Sequence, residues 1–323
     1  MKKGLQVKVN HHYVWAYYLN GWAVDNKVYW LTPKGNIAHD STKGMCREKG
    51  LYKISVFDPV DVEYIRAWSR RCSEDLQKQH AKQIAPFIDI SNAIRFARSK
   101  NLNDPKYIQA EEVLLNNYLE DTYARIECGA RRCIDAFRKG DTSVLNSQSD
   151  MIGLYSYLGH QVMRTYSTKS RFFELAENQI SQSSAYGEAT RLARKNWWFI
   201  SFMLGENLGF SLYASRNVDK LILVNNISQT SFVTSDSPVV NVHPENDGLH
   251  RAESPEKLDL LFSVSPSYAL MINSSDKWGA LIDGADENDV VELNEKIASN
   301  ARYSIYGNSQ SIIKANRKYF GNW

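Results

Sequence analysis

The 323-residue chain has no stretch approaching the roughly 18 uninterrupted apolar residues that a membrane-spanning helix requires. Its opening, MKKGLQVKVNHH, lacks the apolar run of a secretory signal, so a cytoplasmic location is the default expectation. Cysteine is scarce: Cys46, Cys72, Cys128 and Cys133 are irregularly spaced, with no C-x-x-C pair. That argues against a zinc site or a disulfide frame and for reduced thiols. Charge of one sign is also lacking, and a net +3 does not by itself imply a nucleic-acid partner. There is no G-x-S-x-G elbow, no H-E-x-x-H zinc helix, no P-loop and no G-x-G-x-x-G after a strand, which removes the commonest hydrolase, metalloprotease and nucleotide signatures. Repeats, low-complexity tracts and Gly/Ser linkers are absent as well.

What is present reads as globular, with 43% hydrophobic and 23% charged residues. Residues 1–57 contain VWAYYLNGWA, suited to a short helix, and KVYWLT-PKGN-IAHDST, suited to a β-hairpin. Helical periodicity dominates residues 58–217, opening behind an Asp-Pro start signal and interrupted at Pro86 and at Asn103, Asp104 and Pro105. From 218 to 323 short apolar or alternating runs (LILVNN, SFVTSD, DLLFSVS, YALMINSS) predict strands, followed by a helix near Glu287–Ala301 and a last strand in RYSIYGNSQ. The expected fold is a single α+β domain, a central helical block with a sheet formed from the N-terminal hairpin and the C-terminal strands. Arginines cluster at 66, 70 and 71 and again at 125, 131, 132 and 138; these are solvated helix faces or, alternatively, a polyanion surface.

Chemistry is best sought where a polar side chain occupies a stripe that the helical period assigns to the core, since burying it costs energy unless something satisfies it. In MIGLYSYLGHQVMRTYS, Leu154 and Leu158 are followed on one face by Gln161 and Thr165, with Arg164 at the edge of that face. In DENDVVELNEKIASN, Asn294 intrudes on the line Val290, Ile297, Ala301; it either caps a neighbouring loop or meets a ligand. Glu120, flanked at helical spacing by Asn117 and Tyr123, sits in a less polar setting than an exposed glutamate usually has. In SFVTSDSPVV, Ser235 and Asp236 stand at a strand end, a rigid mount for function or equally an Asx-turn bonding backbone N–H groups. His11 and His12, placed on a helix beginning near residue 11, would both touch semi-buried surface and could exchange protons near neutral pH. Cys46, beside Arg47 and Lys49, is either an activated thiol or, more simply, a structural one.

The segments NHHYVWAYYL, CREKGLY, GHQVMRT, FVTSDSPV and LNEKIASNARYSIY together resemble the DUF4238 family, in the order its members show and over nearly the whole chain. By that resemblance His11, His12, Cys46, Gln161, Arg164, Thr165, Ser235, Asp236, Pro238 and Asn294 occupy signature positions, and Glu120 falls on a glutamate of a long central helix. Trp15, Tyr166 and Ser237 depart from it, standing where the family usually has proline, proline and asparagine. The family carries no established activity to transfer.

Convergence of these residues would suit phosphodiester or nucleotide chemistry: His11, His12, Asp236 and Glu120 as acids and bases, with Gln161, Arg164, Thr165, Ser235 and Asn294 holding the substrate. Adjacent residues on a helix diverge by about 100°, which makes joint metal ligation by the histidines awkward, so the reaction is expected to be metal-free or Mg²⁺-optional. A nuclease of the toxin or anti-phage type is one expectation, with nucleic acid or a nucleotide as partner and no membrane. The other is a non-catalytic binding or interaction module in which the same residues form a buried structural network.

Overall fold

Short local signals set where the elements begin. A computed structural model describes residues 6–100, 104–180, 184–246, 257–275 and 277–321. The first element is a strand, β1 (Asn10–His12), followed by one helical turn, α1 (Ala16–Leu19), and the hairpin β2 (Val28–Leu31) and β3 (Ile37–Asp40). A further strand, β4 (Arg47–Lys49), runs antiparallel to β1, with His11 opposite Glu48 and His12 opposite Arg47. The histidines are therefore on a strand and not on the expected helix. A three-residue strand has no period of its own to display, and only its distant partner decides it. The consequence is that the two imidazoles leave the sheet on opposite faces.

The helical block comprises α2 (Pro59–Ser69), α3 (Glu74–Ser99), α4 (Pro105–Phe137), α5 (Gln148–Met163), α6 (Tyr166–Ile180) and α7 (Ser184–Ser215). Asp58 and Asp61 form a capping box at the start of α2, and Asp104 accepts from the Lys106 N–H at the start of α4. Pro86 does not interrupt the block as expected; it lies inside α3. The lost hydrogen bond is outweighed by packing, because Ile84 and Phe87 on either side of it are buried. The break before Pro105 is present at Asp104, while Asn103 lies outside the described residues.

The C-terminal part contains β5 (Lys220–Asn225), β6 (Thr234–Ser235), β7 (Val239–Asn241), β8 (Asp259–Ser263), β9 (Tyr268–Asn273), α8 (Glu287–Asn300), β10 (Ile305–Gly307) and a short helix, α9 (Gln310–Asn316), that the sequence pattern did not suggest. The N-terminal hairpin and the C-terminal strands do share a sheet, in the order β3-β2-β10-β6, with Trp30 opposite Tyr306 and Ile305 opposite Ser235. A second sheet, β5-β9-β8-β7, is antiparallel throughout. The fold is α+β. Among the described residues no helix is long and apolar enough to cross a membrane.

Helix α5 is the axis of the block, and glycines let its neighbours approach. A Cβ on Gly153 would lie 2.6 Å from the Gly129 carbonyl oxygen of α4, and one on Gly159 would lie 2.8 Å from the Gly209 Cα of α7. Gly159→Ala is expected to destabilise the protein by about 1–3 kcal/mol through overpacking against rigid backbone. Gly187→Ala in α7, where nothing lies within 4 Å of the added methyl, should be neutral or stabilising. Paired urea denaturation curves check the contrast.

Candidate functional site

One edge of β1 is taken by the β4 segment, since Gly50 N–H donates to the Val9 carbonyl and Tyr13 N–H to the Cys46 carbonyl. The alternate groups of β1 therefore point to its other edge, where α4 meets them. The Asn117 side chain accepts from Lys8 N–H at 2.8 Å and donates to the Gln6 carbonyl at 2.9 Å. One turn along α4 the His12 N–H reaches the Glu120 carboxyl. The Tyr52 hydroxyl donates to the His12 carbonyl at 3.3 Å.

His11 is fully buried and both ring nitrogens are engaged: Nδ1 accepts from Tyr52 N–H at 2.8 Å, and Nε2 lies 2.8 Å from the Lys8 carbonyl. Burial lowers its pKa below the usual imidazole value, which keeps it neutral. His11 is thus a fixed link between β1 and the chain at Tyr52. His12 is half-buried, and its Nε2 has only a 3.4 Å approach to the Lys43 carbonyl.

Arg164 caps the end of α5 and turns its guanidinium inward, with 4% of the residue exposed. Nη1 lies 2.7 Å from Glu127 Oε1, while Nε and Nη2 both donate to Gln161 Oε1. The charge also faces the rings of Tyr123 and Tyr157, at 5.3 and 5.9 Å from their centroids. Burial works against this charge, but Glu127 and the surrounding tyrosines hold the group protonated. Gln161 then donates to the Tyr13 carbonyl at 2.9 Å, tying α5 to the residue that follows β1. Thr165 is spent on the joint between α5 and α6, donating to the Val162 carbonyl at 3.1 Å and accepting from Thr168 N–H.

Glu120 differs from all of these. Its carboxyl is half-buried, one oxygen is buried without a partner, and its pKa is pushed up to about 7 by burial and by the negative charge of Glu127, with Arg164 pulling the other way. Nδ1 of His160, buried near Arg164, also lacks a hydrogen-bond partner, while the Tyr123 and Tyr157 hydroxyls have Ser201 and Arg164 beside them. A cavity of about 10 Å³ lies beside Arg164, lined by Tyr52, Lys169, Trp197 and Ser201 among others. That is room for about one water molecule.

The remaining predicted residues lie elsewhere. Asp236 is completely buried and accepts from the main-chain N–H groups of Arg302, Tyr303 and Ser304 at 3.0, 3.1 and 3.4 Å. It bonds backbone, as an Asx-turn would, but the backbone belongs to the segment after α8 and not to its own turn. Burial pushes its pKa up to about 6, against the pull of those N–H groups. Ser235 makes the local turn, accepting from Ser237 N–H at 3.1 Å. Cys46 adopts φ +48° and lies 3.1 Å from the Tyr306 hydroxyl. Burial raises its pKa well above the ordinary thiol value, and Arg47 and Lys49 do not offset that. It is not an activated thiol. Asn294 accepts from Val233 N–H and donates to the Ser231 carbonyl, both at 2.9 Å, so it clamps the chain ahead of β6. The structure brings together Glu120, Gln161, Arg164 and the main chain of His12, whose ring lies toward the Lys43 carbonyl. Asp236 joins a second cluster with Tyr13, Cys46 and Tyr306, and Asn294 stands apart from both.

A family model described as a protein of unknown function (DUF4238) matches residues 10–197 and 212–311. The chain belongs to the DUF4238 family. No curated protein and no solved structure matches it. Read on this DUF4238 chain, the signature positions named from the sequence fall mainly on hydrogen bonds that join β1, α5 and the C-terminal sheet. Sequence reasoning missed Asn117, Glu127, Tyr52 and Tyr157. Glu127 was within reach, for it lies seven residues beyond Glu120 and four beyond Tyr123, on the same face of α4. Among the described residues no group of three or more His, Cys, Asp and Glu is placed to hold a metal ion.

Two predictions follow from this geometry. Asp236→Ala strips three main-chain N–H groups of their fully buried acceptor and should cost about 3 kcal/mol in chemical denaturation. Glu120 and Asp236 have folded-state pKa values above their ordinary ones, so each contributes stability that is lost as pH rises between about pH 4 and 7, by up to about 1.4 kcal/mol per pH unit for each group. Buried His11 and His160, whose pKa values are lowered, act in the opposite sense and gain stability as pH rises toward the ordinary imidazole value. Glu120→Gln isolates the first effect: its stability relative to wild type should rise with pH up to about 7, measured as paired unfolding midpoints from pH 4 to 8.

Proposed function

We propose that the protein is a phosphoester-cleaving enzyme, a nuclease of the toxin or anti-phage kind, whose proton transfers are made by Glu120 and His12, with His11 and Asp236 serving the architecture. The observation that carries this reading is the Glu120 carboxyl, half-buried, with one unpartnered oxygen and a pKa of about 7. A carboxyl tuned to neutral pH is suited to general acid–base work, and perturbed groups of this kind concentrate at functional sites. His12 supplies a half-buried imidazole on the same residue whose N–H reaches Glu120. Arg164, committed to Glu127 and Gln161 and bonded to the Tyr157 hydroxyl, acts by its charge, not as an open phosphate clamp.

A second reading has its own support, namely that His11, Thr165, Ser235, Asp236 and Asn294 are all buried and bonded within the chain. In that reading the polar set is a structural network and the protein a nucleotide-binding or interaction module. Incubation with single- and double-stranded RNA and DNA and with nucleotides, with and without Mg²⁺, separates the two. The enzyme reading expects cleavage whose rate rises with pH to a plateau above about 7, Glu120 being the base. Glu120→Gln and His12→Ala should each lower it at least about 100-fold. No turnover of any substrate leaves the network reading.

A further inference from the structure

A second hydrogen-bonded constellation is built by α2, α3 and α7, none of which supplies Glu120, His12 or Arg164. Ser69 closes α2, His80 lies in the second turn of α3, and Asn207 comes from α7. Ser69 Oγ is 2.9 Å from His80 Nδ1, and His80 Nε2 is 2.6 Å from Asn207 Oδ1. The Asn207 amide nitrogen donates to Cys72 Sγ at 3.7 Å, which leaves Oδ1 as the acceptor facing the ring. Nε2 then carries the proton, and Nδ1 presents a lone pair to the serine hydroxyl. Nucleophile, base and orienting group thus stand in hydrogen-bonded series.

We propose that Ser69 is a nucleophile toward activated acyl esters, with His80 as its base and Asn207 as a positioning residue. Ser69 Oγ attacks the ester carbonyl carbon while its proton passes to His80 Nδ1. The tetrahedral adduct expels the alcohol, which takes that proton back, and leaves an acyl group on Ser69. Water repeats the sequence, releasing the carboxylic acid and restoring the serine. Ser69 is 9% exposed and its bond to His80 is buried, so an ester must reach it past the exposed Arg70, Arg71 and Ser73. Asn207 falls in the segment between the two spans matched to the family.

A fluorophosphonate probe tests this on the native full-length protein, read by intact mass and peptide mapping. One adduct per chain, located on Ser69, is expected; Ser69→Ala should lose it, and His80→Gln should slow it at least tenfold. Asn207→Asp should retain labelling while Asn207→Leu reduces it, a pattern that a merely structural role does not produce. Native protein left unlabelled, or labelled at another residue, overturns the proposal, and the wild-type map decides this even if a variant fails to fold.

Discussion

The guanidinium of Arg164 is a full charge in the interior, and much of the arrangement around β1 follows from keeping it paired. An isolated ion there costs several kcal/mol, and removing one member of a buried pair typically costs about 3–5 kcal/mol. Glu127 meets it from α4, Gln161 fills its remaining inner edge, and the rings of Tyr123 and Tyr157 face it. Because Gln161 also grips the Tyr13 carbonyl, the same pair fixes the path of β1, and β1 in turn delivers the His12 N–H to Glu120. Glu127 then has two effects: it holds Arg164, and it makes ionisation of Glu120 harder. Burial is the larger cause of the raised Glu120 pKa, and the partner that stabilises Arg164 adds to it.

Burial was legible where a long period carried it. Leu154, Leu158, Gln161 and Thr165 lie on one buried face of α5 and its end, and Asn294 is buried on α8 in the loop-clamping role that its position suggested. The hairpin and its union with the C-terminal strands were also legible, from turn residues and alternation. The failures have physical reasons. Three residues of β1 cannot announce a strand, since what makes them one is Arg47–Lys49, with paired residues 35 to 39 positions apart. Pro86 has an intrinsic cost that the flanking Ile84 and Phe87 outweigh, and propensity alone does not contain that term. The partners of Asp236 were out of reach because they are main-chain groups after α8, which carry no mark in the sequence.

The candidate residues divide by how much of their hydrogen-bonding capacity the chain itself consumes. His11, Thr165, Ser235, Asp236 and Asn294 are committed to backbone groups, and their role in the fold is visible in those bonds. Glu120 keeps an oxygen unpartnered at a pKa near neutrality, and His12 keeps an imidazole with little to hold it. A buried polar atom without a partner is costly, so its presence calls for a water, a ligand or a proton to complete it. One further such atom, Nδ1 of His160, lies near Arg164, and a water-sized cavity adjoins that arginine. The proposed chemistry therefore rests on Glu120 more than on the histidine pair.

The most direct test is a ¹³C titration of glutamate side-chain carboxyls, with Glu120 assigned by its absence in Glu120→Gln and followed in the wild type and in Glu127→Gln. The account predicts a wild-type midpoint near 7 that moves down when the Glu127 charge is removed. A Glu120 midpoint at the ordinary glutamate value of about 4.3, unmoved by Glu127→Gln, would contradict it.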